Sequence, residues 1–119
     1  MIRGPHVLSA SSLMGNRVVN SLGEYLGKIE DLMIDVAEGR IAYAVLSFGG
    51  IMGLGNRLFA IPWDALALDT EEKKYILDLD RDMLQKAPAF DQNHWPDISD
   101  QNWVERVHTY YGYRPYWED

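Results

Sequence analysis

The stretch that decides the fold reads Tyr25-Leu26-Gly27-Lys28-Ile29-Glu30-Asp31-Leu32-Met33-Ile34-Asp35-Val36. Its second half alternates apolar residues with others, which is typical of a strand whose side chains point to opposite faces in turn. The earlier apolar positions recur instead at spacings of three, at Leu26, Ile29 and Leu32. A β-bulge near Glu30 and Asp31 restores the phase and bends the strand, and Gly27 suits the same bend. The stretch therefore predicts a bent strand, which the closure of a small barrel requires.

Shorter strands are predicted on both sides of this stretch, where β-branched, aromatic or alternating apolar residues are concentrated. The predicted strands cover residues 17–20, 40–48, 57–63 and 74–79. The predicted turns cover residues 21–24, 37–39 and 70–73, with a short helical turn or bend at 64–68. Pro62 has no N–H to donate to a ladder, so we expect it at the end or the edge of its strand.

The segment 40–48 differs from the other strands because it is apolar on both faces. Ile41, Tyr43 and Val45 lie on one face, while Ala42 and Ala44 make the opposite face almost as apolar. A strand of this kind is expected to be covered on both sides. We expect the barrel interior to cover one side, and a tail or a neighbouring subunit to cover the other.

The strand patterns stop near residue 80. Residues 82–87 predict one or two helical turns, which Pro88 ends, and residues 89–97 are expected to be irregular. We therefore predict a mainly β fold, a small twisted antiparallel β-barrel with a C-terminal helical extension. The barrel domain covers residues 1–80. The helical, aromatic-rich extension covers residues 81–119 and packs on the barrel or on a second subunit.

The extension contains one clear helix signal. Ser99 or Asp100 can cap a helix that runs to about Tyr111, and Gly112 suits its end. The predicted apolar stripe of this helix consists of Trp103, Val107, Tyr110 and Tyr111. The aromatic residues after this helix are Tyr113, Tyr116 and Trp117. We expect them to pack against the barrel or another copy of it, because large rings rarely remain fully in water.

Composition and charge restrict the classes of function. The 119 residues fit one domain, and a formal net charge of −7, from 18 acids and 11 bases, repels phosphate backbones. We therefore expect no nucleic-acid partner. There is no cysteine, which excludes disulfides and thiolate metal sites. No leader pattern and no run of about 20 apolar residues is found, so we expect a cytoplasmic protein without direct membrane insertion.

Several blocks of residues, in order, resemble one known family. The blocks are Leu8-Ser9-Ala10-Ser11-Ser12-Leu13-Met14-Gly15, Val19-Asn20, Gly23 to Asp35, Arg40-Ile41-Ala42-Tyr43-Ala44-Val45-Leu46-Ser47 and Leu58-Phe59-Ala60-Ile61-Pro62-Trp63. Together they span roughly residues 8 to 80, and they resemble the PRC-barrel domain, which is named for the H subunit of the photosynthetic reaction centre. The aromatic tail looks like an extension found on free-standing bacterial members.

The resemblance implies a small twisted β-barrel with a non-catalytic role. One relative is the cytoplasmic part of a photosynthetic membrane complex, and another is half of a ribosome maturation factor that binds a ribosomal protein. We expect this chain to have neither the membrane helix of the first nor the additional barrel domain of the second. Neither specific role is therefore expected to transfer, and the family offers no shared catalytic residue.

The loop between the predicted strands 40–48 and 57–63 has the glycine spacing of a phosphate-binding loop but lacks the residues that such a loop needs. Gly50 and Gly55 are followed by Asn56 and Arg57, where that motif needs Lys and then Ser or Thr before a helix. The same loop carries three apolar residues among its glycines, Ile51, Met52 and Leu54. They either form an exposed contact patch or fold over one end of the barrel.

Neither catalytic nor metal-binding residues can be assigned from spacing. His6, His94 and His108 do not stand at helical spacings from one another, and we assign no catalytic, metal or cofactor residues. The first hypothesis is a non-enzymatic protein-binding or assembly module that forms a homo-oligomer, a dimer or larger. Its candidate contact residues are Ile51, Met52, Leu54, Tyr113, Tyr116 and Trp117. The alternative is a small-ligand or ion-binding domain with a sensory or stress role.

Overall fold

Seven strands form one sheet in the computed structural model, which describes residues 7–49, 56–91, 95–96 and 100–118. The strands are β1 (Arg17–Val19), β2 (Tyr25–Asp35), β3 (Arg40–Gly49), β4 (Asn56–Pro62), β5 (Leu66–Asp69), β6 (Lys74–Leu77) and β7 (Ala89–Asp91). The α-helices are α1 (Ala10–Leu13), α2 (Arg81–Gln85) and α3 (Gln101–Tyr110). Short 3₁₀ turns cover Trp63–Ala65 and Tyr116–Glu118. The predicted mainly β fold is confirmed.

The order of strands in the sheet is β5-β6-β1-β2-β3-β4-β7. Neighbouring strands are antiparallel, except that β1 and β6 run parallel. No ladder joins β5 to β7 within the described part of the chain, so hydrogen bonds do not close the sheet there. The sheet nevertheless curls, because residues of β1, β2, β3, β4 and β6 meet in a single interior core.

The bulge predicted in β2 is present at Glu30. Ile29 pairs with Leu46, and Asp31 pairs with the adjacent Val45, so Glu30 has no partner on β3. A second irregularity, which the sequence does not predict, leaves Ala42 of β3 without a partner on β2. Such bulges increase the bend and twist of the paired strands.

The interior core fills the space inside the curled sheet. Its largest fully buried members include Tyr75, Phe59, Leu26 and Ile29. Leu84 of the short helix α2 and Ala87, two residues after it, belong to the same core, so α2 packs against the barrel interior. The hydroxyl of Tyr75 donates a hydrogen bond to the carbonyl oxygen of Leu13 (2.9 Å) and attaches α1 to the barrel.

A second core lies on the outer face of β3 and β4. Tyr43 and Val45 of β3 pack there with Val104 and Val107 of α3. Both faces of β3 are therefore buried, as the sequence predicts, and the outer face is covered by the C-terminal extension of the same chain. The other members of this core, on the strands, are Ala42, Leu58 and Ala60.

Two sequence predictions for the second half of the chain are wrong. Residues 89–97 are not irregular throughout, because Ala89–Asp91 forms β7 and pairs with β4. Residues 64–68 are not only a turn, because the 3₁₀ turn is followed directly by β5. Both strands lie at the ends of the sheet, where a strand is short and its own pattern is weak.

The helix α3 begins and ends as predicted. Asp100 is its cap, and the Asp100 carboxylate accepts a hydrogen bond from the backbone N–H of Asn102 (2.9 Å). Gly112 follows the helix with a φ of +80°, the left-handed conformation that favours glycine. The buried stripe is centred on Val104, Val107 and His108. The predicted stripe is therefore off-centre, because its Trp103, Tyr110 and Tyr111 are only half-buried.

Candidate functional site

The end of β2 is attached to the C-terminal tail through Asp35. One oxygen of the Asp35 carboxylate accepts hydrogen bonds from the backbone N–H groups of Ala37 and Glu38, both at 3.0 Å, and so shapes the turn into β3. The other oxygen accepts a hydrogen bond from the hydroxyl of Tyr116 at 2.5 Å. A single carboxylate thus holds a hairpin turn and a tail residue that lies 81 positions further along the chain.

Arg40, at the start of β3, holds the same tail residue from another side. Its guanidinium donates a hydrogen bond to the backbone carbonyl of Tyr116. It also lies over the Tyr116 ring, 5.2 Å from the ring centroid, a geometry in which the ring attracts the cation. We call Asp35, Arg40 and Tyr116 the tail clasp.

The clasp shifts the pKa values of Asp35 and Tyr116 in opposite directions. The Tyr116 hydroxyl, which donates to the carboxylate, is the main reason that the pKa of Asp35 is lowered. Burial, together with the hydrogen bond to Asp35, raises the pKa of Tyr116 to about 12. Asp35 is therefore ionised and Tyr116 neutral near pH 7, which is the pair of states that this hydrogen bond needs.

A groove of about 380 Å³ opens beside the clasp, between the end of the β2–β3 hairpin and α3. Ile34 and Val36 lie in it with 53% and 90% of their surface exposed, and the tail residues Tyr116 and Trp117 line it as well. We call this space the tail groove. The remaining lining residues are Met33, Asp35, Ala42, Tyr43, Gln101 and Val104.

The tail groove contains one buried hydroxyl. Tyr43 is almost completely buried, and among the described residues its hydroxyl has no hydrogen-bond partner. Burial raises the pKa of Tyr43 to about 12. The ring also packs edge-on against Trp103, with centroids 5.7 Å apart. Tyr43 therefore acts mainly as a packing residue.

A second cavity, of about 390 Å³, lies on another side of Tyr116. Arg40, Trp63, Asp64 and His108 line it together with Tyr116. The His108 ring is buried, and its Nδ1–H donates to the carbonyl oxygen of Val104 at 2.9 Å.

The candidate contact residues from the sequence fall into three groups. Tyr116 and Trp117 lie half-buried in the tail groove. Tyr113 is exposed and is not among the residues that line the groove. Ile51, Met52 and Leu54 lie outside the described residues, so their predicted contact role stays a prediction.

Sequence reasoning missed Asp35, Arg40, Ile34 and Val36. An Asp that precedes a glycine turn is a local signal, since its side chain often bonds the next backbone N–H groups, but nothing local connects it to Tyr116. The alternation of Leu32 with Ile34 and Val36 predicts that all three are buried. Only Leu32 is buried, because the hairpin continues past the end of the core.

Two further findings concern the kinds of site that are present. Within the described residues, no group of three or more His, Asp or Glu side chains is placed to hold a metal ion. None of the helices in the described part of the chain has the length and apolarity to cross a bilayer.

Together, these features define a small β-barrel domain: a curled sheet, an interior core and the helix α2, which packs against that core. A family model described as "PRC-barrel domain" matches residues 5–84. The chain therefore belongs to the PRC-barrel domain family, and the resemblance noted in the sequence is confirmed.

The chain is similar to the crystal structure of a putative 16S ribosomal RNA processing protein, RimM, from Pseudomonas aeruginosa, at 22% identity and a TM-score of 0.43. The similarity covers 63% of this chain and 45% of that chain, so it spans less than half of the RimM chain. No protein with a curated function matches this chain.

Proposed function

We propose that this chain is a non-enzymatic protein-binding and assembly module that self-associates through the tail groove. The observation that carries the proposal is the exposure of Ile34 and Val36 beside the half-buried rings of Tyr116 and Trp117. Aliphatic and aromatic side chains in one concave surface are typical of contact sites. Aromatic anchors in such pockets also contribute most of the energy of many interfaces.

The charges around the tail groove favour a second copy as the occupant. The chain carries a net charge of −7, so two copies repel each other unless they meet where charge is already neutralised. At the tail clasp, the charge of Arg40 acts on the Asp35 carboxylate, and both side chains bind Tyr116. The opposite charges of Asp35 and Arg40 therefore lower the repulsion between two copies at this end, to which Glu38 of the same turn still contributes.

Because α3 covers the outer face of β3, we expect self-association at another surface. This outer face packs under Val104 and Val107 of α3 in the same chain, so this face offers no surface to a neighbour while α3 is in place. Among the residues that the structure describes, the tail groove is an apolar surface that remains exposed beside the β2–β3 turn. We therefore assign the interface to the groove and not to the strand.

The ionisation states in the tail clasp support a non-enzymatic role. An efficient general acid or base has a pKa near the working pH. The pKa of Asp35 is lowered and that of Tyr116 is raised to about 12, so both pKa values move away from neutrality. The two groups are also joined to each other by a hydrogen bond.

We expect neither nucleic-acid binding nor a membrane-inserted form, and we expect the protein to act in the cytoplasm.

Light scattering and sedimentation across micromolar concentrations test the self-association. We expect a dimer or larger species for the parent chain. We expect the double variant Ile34→Ser, Val36→Ser to dissociate about tenfold more readily, because two apolar contacts are removed. Leu22→Ser is the control, because Leu22 is also apolar and exposed but lies beyond the opposite end of β2. A parent chain that is monomeric at every concentration would contradict the proposal.

The second candidate function is small-ligand or ion binding in the cavity beside Tyr116. It is favoured by the buried His108 ring and by the guanidinium of Arg40 in the same lining. A thermal-shift panel of metal ions and small metabolites, with His108→Gln as the comparison variant, tests it. Identical shifts for the parent and this variant would remove the candidate.

A further inference from the structure

Three apolar side chains are exposed towards the end of the barrel opposite the tail groove. They are Leu22, Tyr25 and Met83, with 82%, 49% and 43% of their surface exposed. β2 begins here at Tyr25 and ends at Asp35 in the tail clasp, so the length of a bent strand, at most about 35 Å if it were fully extended, lies between the two ends.

Hydrogen bonds join the two distant chain segments that carry these side chains. The Asn20 carboxamide donates to the carbonyl oxygen of Leu79 (3.3 Å), and the Ser21 hydroxyl donates to Asp78 (3.0 Å). The guanidinium of Arg81 donates to the carbonyl oxygen of Tyr25 (3.1 Å). The turn between β1 and β2 is thereby fixed against the segment that leads into α2.

Asn20 also fixes the turn that carries Leu22. Its side-chain oxygen accepts from the backbone N–H groups of Leu22 (3.0 Å) and Glu24 (2.9 Å), and its nitrogen donates to the Glu24 carboxylate (2.7 Å). Asn20 itself is buried. Leu22 is therefore exposed on a turn that is held in place, and a partner need not order this turn on binding.

Acidic side chains predominate in the two chain segments that carry the three apolar ones, and Lys86 follows the second segment. Residues 20–25 and 78–83 together contain four acids and one base. The acids are Glu24, Asp78, Asp80 and Asp82, and the base is Arg81. We call Leu22, Tyr25 and Met83, together with these acids, the acidic end.

We propose that the acidic end is a docking surface for a basic amphipathic segment of another protein. Apolar side chains of the segment would cover Leu22, Tyr25 and Met83, while its Lys or Arg side chains would meet the carboxylates of the acidic end. Met83 suits such a contact, because an unbranched thioether side chain adapts to different partners. A second copy of this chain is not the occupant, since it would bring another excess of acids to the same place.

The surface is independent of the proposed self-association. The two surfaces lie at opposite ends of β2, and none of the residues of the acidic end lines the tail groove. A variant that no longer self-associates therefore keeps the acidic end, and each surface supplies control substitutions for the other.

Fluorescence anisotropy with a labelled helical peptide of Leu and Lys tests the proposal on the full chain. We expect saturable binding that weakens as salt is added, because exposed charges are screened. Oligolysine of equal charge and a helical peptide of Leu and Glu are expected to bind far more weakly. Equal binding of oligolysine would overturn the proposal, because charge alone would then explain the interaction.

Matched variants separate the apolar contribution from the charge contribution. We expect Leu22→Ser and Met83→Ser to weaken binding by about tenfold, and Val36→Ser, at the other end, to leave it unchanged. We expect Asp82→Asn to weaken binding by about two- to fivefold, and Glu71→Gln, which removes an exposed acid from the β5–β6 loop, to have no effect. Equal losses for Asp82→Asn and Glu71→Gln, or no loss for the Leu22 and Met83 variants, would refute the assignment.

NMR provides a readout that does not depend on the variants. The methyl resonance of Met83 and the amide resonances of Leu22 and Tyr25 should shift on peptide addition, while those of Ile34 and Val36 should not. Shifts confined to the tail groove would overturn this proposal and leave the proposed self-association to its own test.

Discussion

Gly27 shows at the scale of one residue why this fold needs its bent strand. Its φ is +136°, and a Cβ at this position would collide with the backbone carbonyl oxygen of Ser47 on β3. Only glycine avoids both the strained backbone conformation and the steric conflict. β2 and β3 can therefore approach closely beside the bulge at Glu30.

We expect Gly27→Ala to lower the free energy of unfolding by about 3 kcal/mol, because backbone strain and overpacking add together. Gly15→Ala is the matched control. Gly15 also has a positive φ, of +80°, but a Cβ there would meet nothing within 4 Å, so only the strain of about 1 kcal/mol remains. Urea denaturation of both variants measures the difference. Equal losses in the two variants would mean that the contact with Ser47 relaxes without cost.

At the scale of elements, the tail clasp makes the docking of the C-terminal tail depend on pH. The folded-state pKa of Asp35 is lowered from 3.8, so its stabilising contribution is present above this value and is lost as the pH falls through the lower, folded-state pKa. The folded-state pKa of Tyr116 is raised from 10.0 to about 12. Its contribution is therefore complete below pH 10 and is lost as the pH rises from 10 to about 12.

We therefore expect Tyr116→Phe to lower the urea midpoint at pH 7, and we expect this effect to shrink as the pH falls below 3.8 and through the lowered folded-state pKa of Asp35, where the carboxylate becomes protonated. The variant keeps the ring over which Arg40 lies and removes only the hydroxyl that donates to Asp35. Tyr113→Phe is the control, since Tyr113 is exposed and does not line the groove. An effect of Tyr116→Phe that stays the same across this pH range would show that the ionised carboxylate contributes nothing to the clasp.

The elements also show which features local sequence can specify. The bulge in β2 and the cap of α3 follow from spacings of a few residues, so the sequence predicts both. β7 has only three residues and becomes a strand by pairing with β4, which no local pattern reveals. The aromatic tail could be predicted as a contact segment, but its partners Asp35 and Arg40 could not, because more than seventy residues separate them from Tyr116.

At the scale of the whole molecule, one pair of strands supports two cores. β3 and β4 pack on the barrel interior through Ala44, Leu46, Phe59 and Ile61, and under α3 through the residues of the second core. Because the pair is shared, the two cores are expected to lose their structure together. The ends of the same barrel differ in charge, since acids and bases meet at the tail clasp and acids predominate at the acidic end.

A chain that ends after Asp91 tests this dependence. It keeps all seven strands and α2 but removes the cover of α3 and the tail. Tyr43, Val45 and Leu58 would then be exposed as one apolar patch, and patches of that kind promote association. We expect increased binding of a hydrophobic dye, a lower melting temperature and growth of large particles in light scattering.

The matched control for the truncation keeps α3 in place. A chain that ends after Gly112 loses the tail clasp but retains Val104 and Val107 over the second core. It should therefore bind little additional dye and should lose the tail groove as a site of self-association. If the chain that ends after Asp91 were monomeric and bound no additional dye, the outer face of β3 and β4 would not need α3, and the assignment of the second core as a structural unit of the fold would be wrong.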